Sequence, residues 1–96
     1  MTMTPDDRRP ALVRLPASLT ALFPGAPRVV ELPPGSVSEL IDALDARWPG
    51  MRDRVCDSSP AVRRHVSVFV NGARAKLDGA APPGADVYIL TAISGG

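Results

Sequence analysis

The residues best suited to chemistry stand at the end of the sequence, Ile93-Ser94-Gly95-Gly96. Gly95 and Gly96 carry no Cβ, so an extended run of them can thread a channel in which any side chain would clash. The group such a tail delivers is the α-carboxylate of Gly96. A carboxylate is a poor acyl electrophile: its charge resists attack and oxide is a bad leaving group, so it reacts only after activation. The same small residues also suit an inert, frayed terminus. What precedes them therefore decides between the two readings.

The other reactive side chains form no constellation. Cys56 is the single cysteine, which excludes an internal disulfide, and no neighbouring His or Cys lowers its pKa; it reads as a structural, half-buried thiol. His65 is the single histidine, so no multi-histidine metal site can be built. Asp6-Asp7, Asp42 with Asp45, and Asp53 with Asp57 read as loop or helix-surface charges. No phosphate-binding glycine loop is present, so ATP is not expected to bind this chain.

Composition narrows the class. Ninety-six residues allow one domain, and 45% apolar with 22% charged residues is ordinary for a globular protein. A net charge of +1 gives no electrostatic case for nucleic acid, and Arg63-Arg64-His65 reads as a solvated run before a strand. No segment approaches the ~18 apolar residues of a membrane span. Arg8-Arg9 is followed by Pro10, Arg14 and Pro16, which interrupt any apolar leader, so a cytoplasmic protein is expected, with residues 1–10 as a disordered tail.

The elements that must position the tail are readable from pattern. Ala11–Leu15 is a first strand closed by Pro16. Residues 16–27, with three prolines and Gly25, predict a wide connection. Arg28–Leu32 is a second strand closed by Pro33-Pro34-Gly35. Ser36 and Glu39 form a capping box, and Val37, Leu40, Ile41, Leu44 and Trp48 recur at three- and four-residue spacing, so residues 36–48 predict an amphipathic helix ended by Pro49-Gly50. Residues 51–65 read as polar and irregular. Val66–Val70 is a third strand, Asn71-Gly72 a hairpin turn and Ala73–Ala75 its return. Val87–Leu90 is the last strand. One amphipathic helix needs one sheet to cover it, so the predicted fold is α+β, a mixed sheet on one main helix: residues 11–92 as a β-grasp domain and 93–96 as a flexible tail.

Val68-Phe69-Val70-Asn71-Gly72, the turn and strand from Pro83 to Leu90, and the tail from Thr91 to Gly96 come in an order that resembles the ubiquitin-like sulfur-carrier family. That family includes the small subunit of molybdopterin synthase and the thiamine-pathway carrier. The resemblance covers residues 11–96. Val13-Arg14-Leu15-Pro16 with Leu19, and Leu44–Met51 with Arg64-His65-Val66, are most similar to the carrier of the actinobacterial thiocarboxylate-dependent cysteine pathway. The aromatic-rich opening usual in the molybdopterin synthase subunit is missing at residues 12–20, and Thr91 stands where many members have proline.

The resemblance implies a ubiquitin-like fold and a protein that is a co-substrate, not an enzyme. An E1-like adenylyltransferase/sulfurtransferase would adenylate Gly96 with ATP, and a sulfur donor would displace AMP to leave a thiocarboxylate. A cysteine synthase-like enzyme would take the sulfur, for cysteine or another sulfur-containing metabolite. Gly95, Ser94 and Ile93 would form the tail, and Phe69, Tyr88 and Leu90 an outward apolar patch for partners. The alternatives are a modifier that forms isopeptide bonds with lysines, the small subunit of molybdopterin synthase, and an interaction module with an inert tail.

Overall fold

Apolar alternation sorts the strands onto a helix-covered face and an outer face. The computed structural model describes residues 9–56 and 66–91. Five strands form one sheet: β1 (Ala11–Arg14), β2 (Val29–Leu32), β4 (Val66–Val70), β5 (Ala73–Ala75) and β7 (Asp86–Thr91), in the order β2-β1-β7-β4-β5. β1 and β7 run parallel; the other pairs are antiparallel. Two further strands, β3 (Gly35–Ser36) and β6 (Ala80–Ala81), make a separate two-residue ladder. The main helix, α2 (Val37–Arg47), buries Val37, Leu40, Ile41 and Leu44. These join Val13, Val30, Leu32, Val68, Val87 and Ile89 in one apolar cluster. Full burial of each such side chain contributes about 1.5–3 kcal/mol, which makes this cluster the main source of stability.

The start of α2 follows the predicted box. The Glu39 N–H donates to Ser36 Oγ at 3.1 Å, and the Ser36 N–H donates to Glu39 Oε1 at 2.8 Å. The hairpin after β4 also forms as predicted. Asn71 and Gly72 both have positive φ, +50° and +87°, and Val70 pairs with Ala73 across them. The turn is then tied to β7: Asn71 donates its N–H to the Asp86 carbonyl at 2.8 Å and accepts the Asp86 N–H on Oδ1 at 2.9 Å.

Several features depart from the expectations. The proline-rich connection contains a single helical turn, α1 (Ala17–Thr20), which starts after Pro16 and buries Leu19. Proline there sits ahead of the helical N–H donors and does not break the turn. The stretch expected to be irregular holds α3 (Met51–Val55), with Met51 and Val55 buried. Its charged residues hid a short apolar spacing of four. Gly50, at φ +99°, makes the reversal into α3, and Asp45 Oδ1 accepts N–H groups from both Gly50 and Arg52 at 3.0 Å. Arg52 also reaches Asp42 at 2.6 Å, so the two helix acids anchor α3 and are not merely surface charges. Finally, Cys56 is buried at 4% exposure, deeper than the half-buried thiol expected.

Two substitutions separate the contributions. Ser36→Ala should cost about 1 kcal/mol by loss of the cap. Leu44→Ala, at the centre of the cluster, should cost about 2–5 kcal/mol. Urea unfolding monitored by circular dichroism checks both values.

Candidate functional site

β7 is the central strand of the sheet, and its side chains alternate. Val87 and Ile89 are buried, whereas Tyr88 and Leu90 are 40% and 45% exposed. The register places five outward residues side by side, one from each strand: Val29, Arg14, Tyr88, Phe69 and Arg74. Tyr88 and Phe69 are direct cross-strand partners, and Leu90 lies opposite Ser67 on the same face. Phe69 is half-buried. Phe69, Tyr88 and Leu90 therefore form one outward surface, as the strand alternation predicts, and Val29 extends it at 42% exposure.

Cations border the rings. The Arg14 guanidinium carbon lies 5.3 Å from the Tyr88 ring centre, and that of Arg74 lies 5.7 Å from Phe69. Arg14 also reaches Asp86 at 3.2 Å, with the two side chains 37% and 51% exposed. At such exposure each of these contacts contributes at most about 1 kcal/mol. The backbone ladder fixes the row, and the cations only adjust it. Between β7 and the β1–β2 edge the surface dips into an open groove of about 260 Å³, lined by Arg14, Pro16, Arg28, Val29, Tyr88 and Leu90 among others. Arg28 is held at its rim by an Nε–H bond to the Leu15 carbonyl at 2.8 Å.

The patch borders the exit of the chain from the sheet. Thr91 is the last residue of β7, paired with Val66. Its Oγ1 shares a 2.7 Å hydrogen bond with Ser18 Oγ, which ties the strand end to α1. Ile93, Ser94, Gly95 and Gly96 lie outside the described residues, as do Arg63, Arg64 and His65. Among the described residues no group of three or more His, Cys, Asp or Glu could hold a metal ion, and no helix is long and apolar enough to cross a membrane.

Arg14, Arg28, Arg74, Val29 and Ser18 were not among the sequence-derived site residues. Two of them were within reach. Arg14 alternates with the inward Val13 and Leu15, and a two-residue Asn71-Gly72 turn pairs position 69 with position 74. Ser18 depends on the unanticipated α1 and has no comparable signal.

No family model and no curated protein matches the sequence. Solved structures do. A chain in the crystal structure of the Amycolatopsis orientalis BexX/CysO complex superposes with a TM-score of 0.80 at 27% identity, over 90% of this chain and 99% of that one. Haloferax volcanii SAMP1 gives 0.74 at 28% identity, over 90% and 98%. Mycobacterium tuberculosis CysO gives 0.76 at 27% identity, over 86% and 99%. This chain is a β-grasp protein similar to the ubiquitin-like sulfur carriers. One further neighbour, of Haloferax volcanii, is called small archaeal modifier protein 1. These structures match almost end to end, so the β-grasp body with its outer face is the shared unit.

The in–out alternation of β7 is testable by stability alone. Leu90→Ser should change the unfolding free energy by no more than about 0.5 kcal/mol. Ile89→Ser should cost about 3 kcal/mol or more, because it opens a cavity and buries a hydroxyl. Chemical denaturation of the two variants gives the comparison.

Proposed function

We propose that this β-grasp protein is a sulfur carrier whose working group is the α-carboxylate of Gly96. The observation that carries the proposal is its near end-to-end similarity to CysO proteins, one of them crystallised in complex with BexX, in a chain that carries Ser94-Gly95-Gly96 after β7. The chemistry follows from the carboxylate. An E1-like adenylyltransferase joins a Gly96 oxygen to the α-phosphorus of ATP and releases pyrophosphate. A sulfide-level donor then attacks the acyl carbon and AMP leaves. The product is a terminal thiocarboxylate, ionised at neutral pH and a strong sulfur nucleophile. A downstream enzyme, of the cysteine synthase kind or one making another sulfur-containing metabolite, accepts the sulfur. ATP and the donor are bound by the partner. Supply of ATP places the reaction in the cytoplasm.

In this scheme the folded body provides docking and the tail provides access. Phe69, Tyr88 and Leu90 offer the apolar centre of a docking face beside the end of β7. Ile93 and Ser94 lead from the body to Gly95 and Gly96, whose lack of Cβ suits a narrow channel.

A second reading, a modifier joined through Gly96 to lysine amines, is favoured by the likeness to a protein called small archaeal modifier protein 1, at 25% identity and a TM-score of 0.72. It begins with the same adenylate and differs only in the nucleophile that ends it.

ATP–pyrophosphate exchange with an E1-like adenylyltransferase tests the shared first step. The unaltered chain should support exchange. Deletion of Gly95-Gly96, or addition of residues after Gly96, should abolish it with the fold intact. Normal exchange by the extended chain would contradict the proposal.

A further inference from the structure

Charge on the outer sheet face is divided along the strands. Among the described strand residues its acids, Glu31 and Asp86, flank Leu12 at the end where β7 begins. From the row of Val29, Arg14, Tyr88, Phe69 and Arg74 to Thr91, the outward strand positions carry no described Asp or Glu. That half carries the apolar patch, the exit of the chain and three arginines.

The arginines are not equivalent. Arg14 is partly neutralised by Asp86. Arg28 and Arg74 are exposed, and neither has a carboxylate partner among the described residues. Among the described residues Arg28 spends its Nε–H on the Leu15 carbonyl, and Arg74 gives a bond from Nη2 to Ser67 Oγ at 3.2 Å. Each leaves guanidinium N–H donors open to an incoming acceptor. The two stand on the outer strands β2 and β5 or at their edge, four inter-strand spacings or about 19 Å apart, with the aromatic pair between them. A guanidinium in this setting recognises carboxylates in bidentate fashion.

We infer that the partner surface which docks on this face is an acidic one: protein carboxylates received by Arg28 on one side and Arg74 on the other, bracketing an apolar centre that covers Phe69, Tyr88 and Leu90. The inference rests on the sulfur-carrier reading, in which that partner is the adenylyltransferase. Arg14, already engaged with Asp86, is left to its contact with the Tyr88 ring. The polarity also orients the complex. Arg28 and Arg74 lie toward the Thr91 end of the face and Glu31 toward the other, so the orientation that brings Thr91 to the active site is favoured.

The experiment is ATP–pyrophosphate exchange by an E1-like adenylyltransferase of the same organism, with the chain as the varied substrate. Arg28→Glu and Arg74→Glu should each raise KM about five- to fiftyfold and leave kcat within about twofold. The KM of the unaltered chain should rise with ionic strength between about 0.05 and 0.5 M NaCl, and the rise should flatten in the double variant. Arg47→Glu, with the same charge change on α2, behind the sheet, should leave KM unchanged. An active chain whose KM responds equally to Arg28→Glu, Arg74→Glu and Arg47→Glu, or does not respond at all, would overturn the inference alone. So would self-association of the unaltered chain through this face, detected by sedimentation and lost in both face variants. A chain that supports no exchange would overturn the sulfur-carrier reading, and the inference with it.

Discussion

The register of β7 is the constraint on which everything else depends. It lies between β1, which it meets in parallel, and β4, which it meets antiparallel, with Val13 beside Val87 and Val68 beside Ile89. Strand side chains have a period of two, so a slip of one residue would drive Tyr88 and Leu90 into the core and expose Val87 and Ile89. The apolar cluster under α2 forbids that slip. The same burial that stabilises the fold therefore also aims Tyr88 and Leu90 outward and sets where the chain leaves the sheet. The patch needs no separate stabilising device; the contacts of Arg14 and Arg74 with the rings are small against the core behind them.

Most of this was legible in the residues because local signals and global packing agree. The Ser36–Glu39 box, the three- and four-residue apolar spacing of α2, the Asn71-Gly72 turn and the alternation of β4 and β7 each have a short-range cause. What was missed has a long-range cause. β3 and β6 are two residues each, too short for a period to register, and pair across more than forty positions. α1 and α3 are single turns hidden by prolines in one case and by Arg52, Asp53 and Arg54 in the other. The arginine border of the patch was half legible: each residue alternates correctly in its own strand, but their alignment in one row is a property of the assembled sheet.

The division of labour is physical as well. The body contributes no acid–base group to the proposed chemistry, and the patch is bordered mainly by Val29, Ser67 and arginines, with Asp86 paired to Arg14. Such a surface suits recognition, and the reacting atoms are supplied by the tail and by a partner. The hydroxyl pair of Ser18 and Thr91 fastens the end of β7 to α1.

The central claim, that Gly96 carries sulfur, is reached most directly by intact-mass spectrometry of the chain after incubation with ATP, an E1-like adenylyltransferase and a sulfide donor. The account predicts one new species in which sulfur replaces a single oxygen, located by fragmentation to Gly96. A chain that is adenylated yet never gains sulfur, and that instead accumulates in cells as amide conjugates on lysines, would contradict it.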